Sequence, residues 1–167
     1  MTKLPEVETL CEQLAAELKP RVGAKTAMIG IHTGGAWVAE RLHALLGLPE
    51  PLGLMDIAFY RDDYHAQGLH HDPKRTKIPF DVNGRELLLV DDVLYSGRTV
   101  RAAMNELFDY GRPASIALVV LADRGGRQLP ICAQHCGVRL DVPAGMRLRL
   151  QRGADGKLAL ALEKQGE

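Results

Sequence analysis

The sequence predicts an α/β fold in which a mostly parallel central sheet is flanked by helices, with a small hood and a terminal hairpin. Two observations support this prediction. Apolar runs of strand length alternate with segments of helical periodicity along the chain, and this alternation is typical of parallel sheets covered by helices. The apolar runs are also continuous, which indicates strands that are buried on both faces.

Composition favours one cytoplasmic domain spanning residues 1–167. The chain is 46% hydrophobic, and its 21 basic and 21 acidic residues cancel, so it has no overall attraction to nucleic acid or to an anionic membrane. The three cysteines are odd in number and are not spaced like the cysteines of a disulfide-bonded domain. This pattern favours a reducing compartment. No apolar run reaches transmembrane length and the N-terminus has no signal-peptide core, so we expect no membrane partner.

The individual elements follow from periodicity and from the residues that interrupt it. Pro20 ends the first helix, Gly47 ends the second, and Gly111-Arg112-Pro113 closes the third. The predicted elements are helices over 4–18, 36–46 and 97–110, strands over 27–31, 52–60, 87–90 and 115–122, and hairpin strands over 146–150 and 158–162. Residues 123–137 are expected to be irregular, and the polar segment 61–77 is expected to be a long functional loop.

The most informative segment runs from Leu87 to Thr99 and reads LLLVDDVLYSGRT. It places Asp91 and Asp92 at the carboxyl end of a buried strand, where open α/β sheets bind ligands. The small residues that follow can wrap backbone N–H groups and a helix N-terminus around an anion. Acceptors for sugar hydroxyls beside a phosphate cradle predict a site for a ribose phosphate. The alternative is an acidic turn that caps an ordinary helix.

This segment resembles the signature of the type I phosphoribosyltransferases, and the resemblance implies their fold. It implies that Asp91 and Asp92 are the catalytic pair that holds the 2- and 3-hydroxyls of phosphoribosyl pyrophosphate, and that they contact Mg²⁺ indirectly through the substrate. The implied 5-phosphate site consists of Leu94, Tyr95, Ser96, Gly97, Arg98 and Thr99, and Val93 beside it is also expected to bind substrate.

Two further loops are expected at the same edge of the sheet. The loop Thr33-Gly34-Gly35 lies between a strand and a helix, and the family's equivalent loop holds pyrophosphate, often through a cis peptide. Glycines allow the backbone to approach an anion closely, although a plain strand-to-helix turn is the alternative. In the family, a basic loop also folds over the substrate and excludes water. The candidates in that loop are Arg61, Lys74 and Arg75, unless 61–77 is simply a solvated surface loop.

A third segment resembles one subgroup of this family in particular. Residues 123–131 read DRGGRQLPI, and this resembles the segment D-R-G-x-R-x-L-P of the pyrimidine operon attenuation regulators, which are also uracil phosphoribosyltransferases. The resemblance covers about residues 27–137. It implies that Asp123 and Arg124 bind substrate and that a hood contributed by about 123–163 covers the base. The alternative for Arg124 is a loop arginine that pairs with Asp123.

The chain departs from these regulators in two places. Their pyrophosphate loop commonly has arginine where this chain has Gly34, so the missing charge would have to come from elsewhere. Their basic N-terminal helix is replaced here by one that carries Glu6, Glu8 and Glu12 in its first half, and RNA affinity depends on cationic contacts with phosphates. Four arginines near the C-terminus could instead form a basic patch, or simply a solvated face: Arg139, Arg147, Arg149 and Arg152.

The sequence therefore predicts a uracil phosphoribosyltransferase that converts uracil and phosphoribosyl pyrophosphate to UMP and pyrophosphate with Mg²⁺. One alternative is a UMP-sensing, RNA-binding regulator of pyrimidine operon expression, with operon leader RNA as a partner. A second is a purine phosphoribosyltransferase. The resemblance also implies a homodimer or a higher homo-oligomer.

Overall fold

The computed structural model describes residues 3–57 and 76–166, and all structural statements below concern these residues. The helices are α1 (Val7–Leu18), α2 (Gly34–Leu46) and α3 (Arg98–Tyr110), with a 3-10 turn at Lys19–Arg21. The strands are β1 (Thr26–Ile31), β2 (Gly53–Met55), β3 (Glu86–Leu94), β4 (Ser115–Asp123), β5 (His135–Arg139), β6 (Met146–Arg152) and β7 (Leu158–Lys164). None of these helices is both long enough and apolar enough to cross a membrane.

The central sheet has five strands in the order β2-β1-β3-β4-β5, and every neighbouring pair is parallel. Strands β6 and β7 form a separate antiparallel hairpin. Both features confirm the predicted architecture of a parallel sheet with a terminal hairpin.

Each face of the sheet is covered by a different set of elements. Met28 and Leu88 pack in a core with α1, α2 and the hairpin leucines. Ile29 and Leu89 point to the opposite face and pack with α3. Because successive strand residues point to opposite faces, strands covered on both sides must be apolar at every position. This double burial accounts for the continuous apolar runs in the sequence.

Helix α2 lies unusually close to β1, and this closeness places its N-terminus at the edge of the sheet. A Cβ added to Gly30 would lie 2.7 Å from the Cβ of Ala39 and 2.9 Å from the Cα of Ala36. Glycine and alanine therefore allow the helix to approach the strand backbone. The loop before α2 is held directly beside the end of β3 as a result.

The structure corrects three predicted boundaries. Strand β3 continues through the two carboxylates to Leu94 instead of ending at residue 90, because it stays paired with β4 as far as Asp123. Of the strand expected over 52–60, the described residues 52–57 form a strand only at Gly53–Met55, and residues 58–60 lie outside the described part. The segment expected to be irregular contains the start of β5. This short edge strand pairs only with β4, and its glycine and histidine hide the strand pattern.

Candidate active site

The carboxylate pair lies where β3 loses one of its two neighbours. On one side β3 pairs with β4 as far as Leu94, whereas on the other side its ladder with β1 ends at Val90. Asp91 is only 2% exposed, and its Oδ1 accepts a hydrogen bond of 2.9 Å from the backbone N–H of Asp92. The gap left by β1 is filled by the loop that leads into α2.

The first turn of α2 packs against the carboxylates through its two glycines, Gly34 and Gly35. A Cβ on Gly35 would lie 2.7 Å from the carbonyl oxygen of Val90 and 2.9 Å from the Cα of Asp91. A Cβ on Gly34 would overlap the carboxylate of Asp92. The Asp92 side chain thus occupies the space that the first atom of any side chain at position 34 would need. The peptide bond between His32 and Thr33 is cis, as the family resemblance implies.

The loop between β3 and α3 has the geometry of an anion site. Gly97 adopts φ of 93° directly before the helix, a conformation that favours glycine. Ser96 is buried, and its Oγ accepts a hydrogen bond of 3.2 Å from the backbone N–H of Arg98. The first N–H groups of a helix have no partner within it and carry a partial positive charge. The N-terminus of α3 therefore offers donors to a phosphate.

Arg124 packs on Tyr95, the first residue of this loop, and both line the cleft. The Arg124 guanidinium carbon lies 4.1 Å from the centroid of the Tyr95 ring, and its Nη2 donates to the carbonyl oxygen of Met146 over 3.4 Å. Its Nε is buried and has no hydrogen-bond partner among the described residues. A buried donor of this kind is costly unless something accepts from it.

Asp123 pairs with a different arginine, contrary to the alternative that it binds Arg124. Its Oδ2 lies 2.5 Å from Nη2 of Arg127, and its Oδ1 accepts from the backbone N–H of Gly125 at 2.9 Å. Burial alone would raise the pKa of Asp123, but the hydrogen bonds from Arg127 and Gly125 outweigh burial and lower it. Asp123 therefore anchors the segment that carries Arg124.

These elements surround a cleft of about 590 Å³. It brings together most of the predicted site residues: Thr33, Gly34, Asp91, Asp92, Val93, Leu94, Tyr95, Ser96, Gly97, Thr99 and Arg124. Three predicted residues lie outside its lining. Gly35 packs behind Asp91, Asp123 holds Arg127, and Arg98 donates from Nε to Oε1 of Gln128 over 2.9 Å. Their direct contact with substrate stays a prediction.

Arg61, Lys74 and Arg75 fall within residues 58–75, outside the described part of the chain. Their role also stays a prediction.

Sequence reasoning missed part of the lining of the cleft. The missed residues are Trp37, Val100, Arg147, Leu148, Arg149, Leu150 and Gln165. Trp37 lies at an apolar position of a helix, which is typical of a core residue. The i, i+2 spacing of Arg147 and Arg149 places them on one face of a strand, but no local pattern reveals that these residues line the cleft.

The carboxylate oxygens of the cleft suit a magnesium ion that takes its remaining ligands from a substrate. Within residues 3–57 and 76–166, no three His, Cys, Asp or Glu side chains come close enough to hold a metal alone. Asp91 and Asp92 offer the hard oxygen ligands that Mg²⁺ prefers, and Mg²⁺ usually takes its other ligands from water and substrate phosphates.

Comparison with known proteins assigns this architecture to a family. The family profile described as "Phosphoribosyl transferase domain" matches residues 1–141. The chain therefore belongs to the phosphoribosyltransferase family.

Curated relatives narrow the assignment further. A protein of Pseudomonas paraeruginosa described as "Bifunctional protein PyrR" is 46% identical over 166 residues, which cover 97% of this chain and 95% of that one. A protein of Nitrosococcus oceani with the same description is 49% identical over 150 residues, covering 86% and 85%. Within its family, the chain therefore belongs to the PyrR group.

Solved structures confirm the fold. A hypoxanthine phosphoribosyltransferase from Staphylococcus aureus superposes with a TM-score of 0.62 at 21% identity, covering 81% of this chain and 73% of that one. A hypoxanthine-guanine phosphoribosyltransferase from Bacillus anthracis gives 0.65 at 16% identity, covering 80% and 79%. The predicted type I phosphoribosyltransferase fold is confirmed, whereas likeness of fold carries no information on the base.

Proposed function

We propose that the protein is a uracil phosphoribosyltransferase that forms UMP and pyrophosphate from uracil and phosphoribosyl pyrophosphate. The observation that supports this most directly is that the carboxylate pair, the N-terminus of α3 and the start of α2 at Thr33 and Gly34 all line one cleft. These three parts match a sugar, a terminal phosphate and a pyrophosphate. The relatives of the PyrR group favour uracil as the base.

Asp91 and Asp92 would bind the ribose hydroxyls. Both are acceptors at the end of a buried strand, and Asp91 is held in place by the N–H of Asp92. The donors at the N-terminus of α3 would bind the 5-phosphate. Holding the sugar at two points fixes its anomeric carbon relative to the base, and such positioning contributes much of the rate in two-substrate reactions.

In the reaction, a ring nitrogen of uracil forms a bond to the anomeric carbon. The bond from that carbon to the pyrophosphate oxygen breaks, its electron pair leaves with pyrophosphate, and the N–H proton of uracil passes to the released pyrophosphate or to water. Positive charge develops on the sugar as the bond breaks. The carboxylates of Asp91 and Asp92, fixed beside the ribose, would stabilise that charge because they are already oriented.

A bound Mg²⁺ would neutralise charge on the leaving pyrophosphate. Asp91 and Asp92 are the side chains that would hold it, indirectly through the substrate. Both carboxylates line the cleft, which fits this indirect role.

Arg124 and Tyr95 would form the wall next to the nucleotide. The buried Arg124 Nε lacks an acceptor among the described residues, and a nucleotide oxygen would supply one. Tyr95 is 42% exposed although it lines the cleft, so a ligand could cover it.

The test is incubation of the protein with phosphoribosyl pyrophosphate, Mg²⁺ and each nucleobase in turn, followed by separation of the nucleotides. We expect UMP only with uracil. Product with hypoxanthine or guanine and not with uracil would instead establish the purine alternative.

The regulatory alternative has one observation in its favour and one against it. Arg147, Arg149 and Arg152 lie on one strand, which could contribute contacts to RNA phosphates. Helix α1, however, contains glutamates and no lysine or arginine. Binding of pyrimidine operon leader RNA that UMP strengthens and salt steeply weakens would support this role, and absence of binding at low salt would reject it.

Location and assembly are also part of the proposal. Three free cysteines fit a reducing cytoplasm. The exposed aromatic side chains of Phe108 and Tyr110 at the end of α3 fit a contact between copies of the chain. Sedimentation at several protein concentrations would test for the homodimer.

A further inference from the structure

We propose that Arg127 is a positioning residue that holds the loop between β3 and α3 in the shape that binds the 5-phosphate of the substrate. That loop, residues 95–97, is called the phosphate loop below, and residues 124–131 are called the clamp segment. The inference rests on the proposed function, because the phosphate loop is part of that proposal. Within the described chain Arg127 does not line the cleft, so it acts through the loop and not by contact with the ligand.

The first argument is the set of acceptors around the Arg127 guanidinium group. Its Nη1 donates to the carbonyl oxygen of Tyr95 over 2.7 Å, and its Nε donates to the carbonyl oxygen of Ile131 over 2.9 Å. Its Nη2 donates to Oδ2 of Asp123 at the end of β4. The donors of a guanidinium group lie in one plane in a fixed fork. These three bonds therefore fix the phosphate loop, the clamp segment and the end of β4 relative to one another.

The second argument is the direction of the loop backbone. The N–H groups of Gln128 and Leu129 both donate to the carbonyl oxygen of Ser96, over 2.9 Å and 3.2 Å. With the bond to Tyr95, two successive carbonyl groups of the phosphate loop are directed at the clamp segment. Because a trans peptide directs its C=O and its N–H to opposite sides, the N–H groups of Ser96 and Gly97 point away from the clamp segment. Successive N–H groups presented in this way are donors for a phosphate.

The third argument is the close packing of the clamp segment on the phosphate loop. A Cβ added to Gly97 would lie 3.0 Å from Cγ1 of Ile131 and 3.5 Å from Cβ of Leu129. A Cβ added to Gly126 would overlap the ring of Tyr95. Glycine at these two positions therefore allows the clamp segment to lie directly on the phosphate loop.

The fourth argument is the side chain of Arg98, the first residue of α3. Its Nε donates to Oε1 of Gln128 over 2.9 Å. The clamp segment is thus joined to the helix that follows the phosphate loop as well as to the loop itself. A displacement of the clamp segment would therefore move the donors on which phosphate binding depends.

The experiment measures calorimetric binding of ribose 5-phosphate, and separately of magnesium pyrophosphate, to the full-length protein. Ribose 5-phosphate carries the group that the phosphate loop would bind, whereas pyrophosphate has no sugar phosphate. Arg127→Gln should bind ribose 5-phosphate about tenfold more weakly and pyrophosphate within about twofold of wild type. The matched control is Arg112→Gln, an exposed arginine between α3 and β4 at the opposite edge of the sheet, which should change neither affinity.

A conservative variant separates position from charge. Arg127→Lys keeps the positive charge but cannot present planar donors to all three acceptors. It should still bind ribose 5-phosphate about fivefold more weakly than wild type. Recovery of wild-type affinity in Arg127→Lys would show that only the charge matters, and it would overturn the positioning role.

A variant at Gln128 tests the clamp segment even if the Arg127 variants fold poorly. Gln128 is exposed, and Gln128→Ala keeps the backbone N–H that donates to Ser96 while it removes the acceptor of Arg98. Ribose 5-phosphate should bind about two- to threefold more weakly, with a melting temperature close to that of wild type. Unchanged binding by this variant would count against the clamp.

Three other outcomes are decisive. Unchanged ribose 5-phosphate affinity in Arg127→Gln would overturn the assignment, and so would an equal loss of pyrophosphate affinity, since that would indicate a general disturbance of the cleft. Absence of ribose 5-phosphate binding by the wild type would overturn it as well. Failure of the wild type to form UMP would overturn the proposed function, whereas the ribose 5-phosphate titrations would still decide whether Arg127 shapes a phosphate site.

Discussion

At the scale of single residues, the site depends on close packing between the two carboxylates and the glycines at the start of α2. Asp91 is 2% exposed, and a Cβ at Gly34 would overlap the Asp92 carboxylate. The paired aspartates could be predicted because a buried strand followed by two acids is a local pattern. The contact between Gly34 and Asp92 could not, since the two residues are far apart in sequence and meet only when β1 and β3 pair.

Replacement of Asp92 by asparagine should remove most of the activity while it preserves the fold. The substitution keeps the shape but removes the charge beside the ribose, and we expect UMP formation to fall by about 10²-fold, on the order of 3 kcal/mol. Initial rates at saturating substrates measure the effect. Glu40→Gln, an exposed carboxyl on α2, is the control. Near-native turnover of Asp92→Asn would remove the assignment.

Substitution of Gly34 by alanine should act through Asp92. The added Cβ would displace the Asp92 carboxylate, so kcat/KM should fall about tenfold, or roughly 1.4 kcal/mol, with little change in the melting temperature. Gly23→Ala is the matched control, because nothing lies within 4 Å of its added Cβ. Equal activity of the two variants would show that Asp92 need not occupy its observed position.

Asp123 should give the protein a measurable pH dependence of stability. Its pKa is lowered in the folded state, so its contribution is present at pH above the unfolded value of about 3.9 and is lost as the pH falls through the folded pKa. Thermal melts of wild type and Asp123→Asn should differ by about 2–4 °C at pH 7 and converge in acid. A constant difference across that range would contradict the role of the Arg127 pair.

At the scale of elements, the sequence predicts the type and order of the helices and strands better than it predicts where they begin and end. Strands β1, β3 and β4 were recognisable because burial on both faces makes them continuously apolar. Strand β5 was missed because its Gly137 and His135 interrupt the apolar pattern. Gly137 is required there, since an added Cβ would lie 2.5 Å from the carbonyl oxygen of Leu121. Tertiary contact, not local preference, dictates this element.

The hairpin should be held on the body of the protein by its leucines. Leu150 is 3% exposed and packs in the core with α1, so Leu150→Ala should cost about 2–4 kcal/mol of unfolding free energy. Chemical denaturation measures the loss, and Lys164→Ala, exposed at the end of β7, should change little. A loss below about 0.5 kcal/mol for Leu150→Ala would mean that the hairpin is not packed as described.

At the scale of the whole molecule, parallel topology explains why three distant loops meet. The loops after β1, β3 and β4 all leave the carboxyl edge of one sheet, and this edge is where such sheets bind ligands. Their convergence could therefore be predicted from the order of strands and helices. The closing of the cleft by β6 could not, because the hairpin joins no strand of that sheet and its docking depends on packing alone.

The central claim is that this one cleft binds phosphoribosyl pyrophosphate through the paired aspartates. Calorimetric titration of the protein with that donor and Mg²⁺ tests it most directly. We predict saturable binding by the wild type and at least about tenfold weaker binding by Asp91→Asn/Asp92→Asn, or about 1.4 kcal/mol. No binding by the wild type, or equal affinity in the double variant, would contradict the claim.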